Sequence, residues 1–170
     1  MMSSSIGKRA LVTSTVIAAF VGSGLAVAPE ASAAVTSTMS TNAYKFANNQ
    51  RGDAYARNGQ STTGFSTYDC SGLVWRSYQQ AGKKWTRESA NSMRKNQTVD
   101  ITIHQRRVGD LIFFRKFGSR TYSHVGIYAG HGYMVDAQTG TYYGLGVVKE
   151  PIDGHTWWSK HYAMDYRRVK

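Results

Sequence analysis

Apolar residues in the middle of the chain follow a helical spacing. The positions that recur at intervals of three or four residues are Leu73, Val74, Tyr78 and Ala81. Asp69 stands just before this run, where an N-cap residue is expected, and Gly82 follows as a stop signal. The pattern predicts a helix over about 70–81, with Cys70 in its first turn.

Two further segments before residue 100 have weaker helical signals. Ala43, Phe46 and Ala47 share one helical face near the start of the expected domain, and 86–96 is predicted as a second short helix. Between them, 48–64 is rich in Asn, Gly, Gln, Ser and Thr, which predicts a long loop. Loops of this length often carry function.

The second half of the chain has the pattern of short strands. Apolar runs separated by turn signals predict about five strands, at 111–114, 124–128, 133–137, 146–150 and 162–169. Gly130-His131-Gly132 predicts a tight hairpin between the second and third of these strands. Helices followed by a strand meander indicate an α+β domain, with an antiparallel sheet packed against the Cys70 helix.

The N-terminal segment has the pattern of a secretory signal peptide. Lys8 and Arg9 precede an apolar stretch over 10–28, and Ala31-Ser32-Ala33 provides a small-x-small cleavage site. We expect cleavage after Ala33, an uncleaved membrane anchor being the alternative. Residues 34–42 are small and polar and are predicted to form a flexible leader, so the domain is expected to span 43–170.

Composition and charge fit one exported domain. The 170 residues can bury a single core, and 21 basic against 10 acidic residues give a net charge of +11. Such a charge attracts anionic partners such as nucleic acid, acidic membranes or wall polymers. The basic residues are scattered and no nucleic-acid-binding motif is present, which argues against nucleic acid. One cysteine and dispersed histidines form no metal-ligand set.

Cys70 is the only cysteine, so an exported chain cannot form an intramolecular disulfide with it. A buried structural thiol is one explanation. A nucleophile is the other, because unpaired N–H groups at a helix N-terminus stabilise a thiolate. Such a thiolate needs an imidazole as its base. The residues that could supply this imidazole are His104, His124, His131, His155 and His161.

Asp136 follows His124 by twelve residues, on the strand that returns from the predicted hairpin. A short hairpin brings such positions side by side. A carboxylate there could accept the ring N–H of His124 and so fix its orientation. The alternative is an outward-facing strand carboxylate without a catalytic role.

Three sequence blocks resemble the NlpC-type cell-wall cysteine peptidases of the papain-like clan. The blocks are Asp69-Cys70-Ser71-Gly72-Leu73-Val74, Gly109-Asp110-Leu111-Ile112-Phe113-Phe114 and Ser123-His124-Val125-Gly126-Ile127-Tyr128. The resemblance covers about 43–170. It implies a papain-like α+β core, an endopeptidase acting on peptidoglycan stem peptides, commonly at the bond from D-glutamate to a diamino acid, and no cofactor.

The resemblance also implies roles for individual residues. Cys70 matches the nucleophile and His124 the base, while Asp136 stands where the family most often has histidine. The positions implied to contact substrate are Tyr55, Asp69, Ser71, Arg87 and Ser89. The two glycines that commonly follow the tyrosine are poorly kept here as Asn58-Gly59.

The sequence therefore predicts a secreted or wall-associated cysteine endopeptidase that acts through an acyl-enzyme thioester. Its expected partners are peptidoglycan and anionic wall polymers, with no nucleic acid, no stable membrane anchor and a monomeric state. Three alternatives remain open at this point. They are a non-catalytic wall-binding protein on the same fold, a wall amidase and a secreted antibacterial toxin.

Overall fold

The computed structural model describes residues 35–58, 67–141 and 144–170. The predicted signal peptide, 1–33, lies outside the described residues. The helices are α1 (Ser37–Asn49), α2 (Cys70–Gln80), α3 (Ala90–Gln97) and α4 (Trp157–His161). The strands are β1 (Ala54–Tyr55), β2 (Thr67–Tyr68), β3 (Thr98–Asp100), β4 (Leu111–Lys116), β5 (His124–Gly130), β6 (Tyr133–Thr141), β7 (Gly144–Pro151) and β8 (Tyr162–Val169). None of the helices in the described ranges is long and apolar enough to cross a membrane.

The strands form one antiparallel sheet and one short parallel pair. The large sheet has six strands in the order β3-β8-β4-β5-β6-β7, and β1 pairs with β2 in parallel. The α+β class with an antiparallel sheet is thus confirmed. The sixth strand, β3, was not predicted, because its three residues are too few to show a pattern; pairing of Thr98 with Val169 holds it at the sheet edge.

The N-terminal helices pack on one face of the sheet. Leu73 and Val74 of α2 are fully buried together with Val125 and Ile127 of β5. Asp69 caps α2 as its position predicted, accepting a hydrogen bond of 2.6 Å from the backbone N–H of Gly72. Burial of this apolar face fixes α2 on the sheet and so fixes where its first residue lies.

The opposite face of the sheet carries a second, aromatic core. Ile112, Phe114, Tyr128 and Met134 point to this side and pack with Trp158 of α4. The sequence analysis did not predict α4. Its five residues give no readable helical period, and its start is set by Thr156, whose side chain accepts from the backbone N–H of Ser159.

Six of the nine residues in the predicted flexible leader, 37–42, lie in helix α1. Helix α1 begins at Ser37, and the side chain of Thr36 caps it by accepting from the backbone N–H of Met39 at 3.1 Å. Ser40 is buried where Gly109 approaches it so closely that a Cβ on that glycine would lie 2.3 Å from the Ser40 carbonyl oxygen. The start of this helix is held by packing against the rest of the domain. Its small polar residues show no helical spacing of apolar positions, so the sequence did not predict it.

The predicted loop over 48–64 also contains regular structure. Helix α1 continues to Asn49, and β1 follows at Ala54–Tyr55. This segment is tied to β7, since Gly52 donates to the carbonyl of Val147 and the Val147 N–H donates to that of Asp53. Residue 146 must be glycine for this approach, because its φ is +85° and a Cβ there would lie 2.1 Å from the Asp53 carbonyl oxygen.

Candidate active site

Cys70 is the first residue of α2 and lies at the edge of a cleft of about 230 Å³. Its side chain is partly exposed. The short strand β2 leads directly into the helix, and its pairing with β1 places Tyr55 next to Tyr68, two residues before the cysteine. The cleft is lined by Tyr55, Cys70, His124, Gln138, Trp157 and Trp158, among others. A thiol and an imidazole from separate parts of the chain therefore share one cleft.

His124 is hydrogen-bonded to Asp136 across two neighbouring strands. Its Nε2 lies 2.6 Å from Oδ2 of Asp136. The pairing of Ile127 with Val135 and of Tyr128 with Met134 brings the two side chains diagonally together. With Nε2 engaged by the carboxyl group, Nδ1 is the ring nitrogen left for other chemistry.

His124 is more deeply buried than the other histidines. Its side chain is only 13% exposed, whereas the four other histidine residues are exposed to solvent. These are His104, His131, His155 and His161. Among the histidines, all of which belong to the described part of the chain, His124 alone lines the cleft that contains Cys70.

Trp158 covers the face of the His124 ring. The two rings stack with centroids 4.8 Å apart and planes inclined by 13°, and Phe114 packs against the same imidazole at 5.6 Å. Trp158 itself is buried, 3% exposed. The aromatic rings limit the positions that the imidazole can adopt and keep water from its hydrogen bond to Asp136.

Behind Asp136 lies a second buried carboxyl group, that of Glu150 on β7. Both side chains are fully buried, and the two carboxyl groups interact with each other. Burial raises the pKa of Asp136, and the interaction with Glu150 lowers it in part. Burial and then the negative charge of Asp136 raise the pKa of Glu150. The Nε2 of Gln138 donates to Oε1 of Glu150 at 3.1 Å.

Tyr55 lines the cleft on the side of Cys70. Burial is the largest cause that raises the pKa of its hydroxyl, followed by electrostatic interactions with the nearby Cys70 and Asp69 side chains. A phenol with a raised pKa stays protonated at neutral pH and can donate a hydrogen bond. Tyr55 thus presents an O–H donor beside the thiol.

The other residues implied to contact substrate line a second, adjoining cleft at the start of α2. It is bounded by Asn58, Asp69, Ser71, Arg87, Glu88 and Ser89. The guanidinium of Arg87 donates to Asp69 and, at 2.8 Å, to the hydroxyl of Ser71. Ser89 lies at the exposed rim, where it caps α3 by accepting from the Ser92 N–H. The five predicted residues are therefore divided, with Tyr55 in the thiol cleft and four in its neighbour.

Within 35–58, 67–141 and 144–170, no group of three or more His, Cys, Asp or Glu side chains converges to hold a metal ion.

Comparison with known proteins assigns the family. The model of the NlpC/P60 family matches residues 52–167, which include both clefts. The chain belongs to the NlpC/P60 family. The resemblance stated from the three sequence blocks is confirmed by this match.

Curated relatives of this NlpC/P60 chain are named as endopeptidases. Murein DD-endopeptidase MepH of Escherichia coli is 35% identical over 123 residues, which are 71% of this chain and 42% of the relative. The probable endopeptidase p60 of Listeria monocytogenes is 36% identical over 118 residues, 69% of this chain and 22% of the relative. The chain thus spans less than half the length of either relative.

A solved structure of a protein described as non-catalytic also resembles this NlpC/P60 chain. RipD of Mycobacterium tuberculosis, described as a non-catalytic NlpC/p60 domain protein adapted to peptidoglycan binding, aligns with a TM-score of 0.58 and 25% identity. The alignment covers 78% of this chain and 98% of that chain. The fold alone therefore does not decide between hydrolysis and binding.

The contacts of Trp158 and Glu150 with His124 and Asp136 were not predicted from the sequence. Trp158 lies in a short helix that was not predicted, and its stacking on His124 has no signal in the local sequence. Glu150 was noted only as the end of a strand. Its burial could have been suspected from the sequence, because Glu150 is an acidic residue in an otherwise apolar strand region that includes Val147 and Ile152.

Proposed function

We propose that this protein is a secreted cysteine endopeptidase that hydrolyses peptidoglycan stem peptides through an acyl-enzyme thioester. The observation that carries the proposal is the 2.6 Å hydrogen bond between His124 and Asp136 in the same cleft as Cys70 at the start of α2. A nucleophile, a base and an orienting acceptor in one cleft are what acyl transfer by a thiol requires.

In the proposed reaction, Nδ1 of His124 takes the proton of the Cys70 thiol, since Nε2 is occupied by Asp136. The thiolate attacks the scissile carbonyl carbon and forms a tetrahedral intermediate, which the Tyr55 hydroxyl stabilises by donating to the oxyanion. The C–N bond then breaks, and His124 returns the proton to the leaving amine. Water, deprotonated by His124, attacks the thioester and releases the new carboxylic acid and the thiol.

The bond from D-glutamate to a diamino acid is the proposed cleavage site. Support comes from the second cleft, where Arg87 and Ser71 surround the Asp69 carboxylate and present polar groups to a peptide bound next to Cys70. A cross-link between stem peptides is the competing bond, because the relative MepH is named a DD-endopeptidase.

Export and partners belong to the same proposal. The segment 1–33 acts as a cleaved signal peptide, and the mature monomer acts outside the cell on peptidoglycan, where its positive charge attracts anionic wall polymers. Neither nucleic acid nor a stable membrane anchor is part of its action. The mass of the protein collected from culture medium tests this, with Ala34 expected as the first residue. A mature mass that still contains 1–33 would contradict export by cleavage.

The activity is tested by incubating the purified protein with defined peptidoglycan and identifying the released fragments by mass spectrometry. Cys70→Ala is expected to release none while keeping the thermal unfolding temperature of the wild type. His124→Ala is also expected to release none, and to unfold at a lower temperature because the buried Asp136 carboxyl group loses its hydrogen-bond partner. His155→Ala, which removes an exposed histidine outside the thiol cleft, is the matched control and is expected to remain active. Full activity of folded Cys70→Ala would rule out the thiol mechanism.

Non-catalytic wall binding is the second candidate, favoured by the similarity to RipD. The same assay distinguishes it. A binding protein would attach to purified walls without releasing fragments, and Cys70→Ala would bind as the wild type does. Release of fragments that depends on Cys70 and His124 decides for the enzyme.

A further inference from the structure

Glu150 is a buried acid in the interior of the sheet with no role in the proposed reaction. Its side chain has no exposed surface, and it lies on the sheet face that also carries His124, Asp136 and Trp158. A buried carboxylate without a cation costs several kcal/mol of solvation, so this group must be neutralised or paired. The described residues place no lysine or arginine against it.

The polar atoms around Glu150 are unsatisfied if both acids are ionised. Asp136 uses Oδ2 for His124, and Glu150 uses Oε1 for Gln138. Asp136 Oδ1 and Glu150 Oε2 remain buried without a donor. The indole N–H of Trp158 faces Glu150 but does not reach normal hydrogen-bond geometry with it. Two carboxylate oxygens are both acceptors, so a proton is needed between them.

We propose that Glu150 is a positioning residue that keeps its proton at neutral pH and donates it as a hydrogen bond to Asp136, thereby holding the carboxylate that orients His124. This inference rests on the proposed function for its effect on rate. The protonation state itself does not depend on that function. A single proton between Glu150 Oε2 and Asp136 Oδ1 gives both oxygens a hydrogen-bond partner.

The surroundings place the proton on Glu150 rather than on Asp136. The titratable groups that face Glu150 are Asp136 on β6 and His124 on β5, and α4 contributes only the indole of Trp158. Asp136 Oδ2 lies 2.6 Å from the His124 ring, which can donate a hydrogen bond and carry a positive charge, and this favours the ionised form of Asp136. Glu150 accepts only from the neutral amide of Gln138, so the proton resides on the glutamic acid.

A proton on Glu150 leaves a single negative charge, that of Asp136, beside the His124 ring during catalysis. When His124 takes the thiol proton, the positive charge of its ring is stabilised by one buried negative charge on Asp136, and Glu150 stays neutral. The Asp136 carboxylate is then held at both oxygens, by His124 at Oδ2 and by Glu150 at Oδ1. Loss of the second hydrogen bond lets the carboxylate rotate and misdirects the imidazole, which lowers kcat more than it raises KM.

The protonation state can be measured directly by carbon NMR. The chain has only three glutamates, and Glu30 lies in the segment proposed to be removed, so labelling the glutamate side-chain carboxyl carbons of the mature protein gives signals from Glu88 and Glu150, assigned by Glu→Gln substitution at each position. We expect the Glu150 signal of the wild type to have the chemical shift of a protonated carboxyl at neutral pH. The shift of an ionised carboxylate at neutral pH would overturn the proposal, whatever the protein hydrolyses.

The effect on rate is tested with a matched pair of variants. Glu150→Gln keeps an N–H donor for Asp136 and an acceptor for Gln138, whereas Glu150→Leu keeps similar bulk and loses both. Glu150→Leu is expected to lower kcat about ten- to a hundredfold, with KM changed less than about threefold, and Glu150→Gln to lose no more than about threefold. Asp153→Asn, which removes an exposed carboxyl group outside both clefts, is the control for loss of an acidic side chain elsewhere.

A pH profile separates positioning from a structural role. As the pH rises, the wild type loses the Glu150 proton and its hydrogen bond, while the amide of Glu150→Gln keeps donating. The activity of Glu150→Gln relative to the wild type should therefore increase toward alkaline pH. Equal losses of kcat in folded Glu150→Gln and Glu150→Leu, or a constant ratio across the profile, would overturn the positioning role. If the wild type releases no fragments, the proposed function fails, and the NMR result still decides the protonation state.

Discussion

Asp136 shows how much the environment of one side chain changes its chemistry. On the surface of a strand, an aspartate would be a solvated carboxylate, but here it is fully buried with one oxygen on the His124 ring and a second acid behind it. The low polarity of this site strengthens the hydrogen bond to the imidazole. It also makes each missing partner more costly.

Substitutions of Asp136 should give a graded loss of activity. Asn can present either an oxygen or an N–H to the ring of His124 and carries no charge, so we expect a loss of about ten- to a thousandfold in kcat. His can still accept the ring N–H and should retain more activity. The expected order of kcat is wild type, Asp136→His, Asp136→Asn and Asp136→Ala, measured with a soluble stem peptide.

The control for this series is Asp153→Asn, which removes an exposed carboxylate that pairs with Arg106 outside the thiol cleft. Its activity should equal that of the wild type. If the three Asp136 variants were as active as Asp153→Asn, another group would have to orient His124.

The buried pair of acids should also affect the dependence of folding stability on pH. The folded chain keeps a proton on Glu150, because burial raises the pKa of this group, whereas the unfolded chain releases that proton above the ordinary glutamate pKa of about 4.3. The folded state therefore binds more protons. The free energy of unfolding should fall by up to about 1.4 kcal/mol per pH unit from there toward neutral pH.

This slope can be isolated by comparing variants. Urea unfolding of the wild type and of Glu150→Gln at several pH values should show the decline in the wild type and a flatter profile in the variant. Glu88→Gln, which changes a glutamate at the surface of the second cleft, should keep the decline of the wild type. Parallel profiles in all three proteins would mean that Glu150 is ionised when folded.

At the scale of elements, strand β5 has to bring His124 close to β6 without pushing Asp136 away. Gly126 provides the space, because a Cβ at this position would lie 2.7 Å from Sδ of Met134 and 3.2 Å from Cβ of Asp136. Its backbone conformation is open to any residue, so the requirement for glycine is one of packing.

Gly126→Ala is therefore expected to destabilise the protein and to lower its activity. Overpacking of this kind costs about 1–3 kcal/mol. The displaced Asp136 should lower kcat severalfold beyond any loss of folded protein, as measured by urea unfolding and steady-state kinetics on the same samples.

A double-mutant cycle with Met134→Val checks the cause. The shorter side chain removes the nearest clash, so Gly126→Ala should cost less free energy in that background than in the wild type. Additive costs would show that the new methyl group acts through something other than Met134.

At the scale of the whole molecule, the net charge is the dominant long-range property. It is +11 for the full chain and +10 once 1–33, which contain Lys8, Arg9 and Glu30, are removed. Its attraction for anionic walls is screened over a Debye length of about 8 Å at physiological ionic strength. Added salt should therefore weaken attachment to whole walls far more than it slows hydrolysis of a small soluble stem peptide. Sedimentation with purified walls, run beside the peptide assay, measures both effects.

The soluble peptide is the control for the wall experiment, because the peptide binds in the same cleft but is too small to experience much of the long-range attraction. If attachment did not change with salt, specific contacts in the clefts would carry the binding instead of the field of the molecule. If salt reduced wall attachment and peptide hydrolysis equally, it would be acting on the folded state or on the reaction itself.

Local signals in the sequence were sufficient for the main elements and for the position of Cys70 at the start of α2. The helical period after Asp69 and the hairpin at Gly130-His131-Gly132 depend on neighbours close in the chain, so α2, β5 and β6 could be read from the sequence. The spacing of His124 and Asp136 likewise follows from a short hairpin. Helix α1, strand β3 and helix α4 could not be read in the same way, because distant packing rather than a local pattern holds them.

By itself, the sequence determined the fold class, the family resemblance and the pairing of one thiol with one histidine as candidates. The tertiary structure alone showed that Trp158 covers His124, that Glu150 lies behind Asp136, and that the substrate-contacting candidates divide between two clefts. The physical reason is that periodicity and capping act over a few residues. Burial, desolvation and hydrogen bonds between strands depend on groups that meet only after the chain has folded.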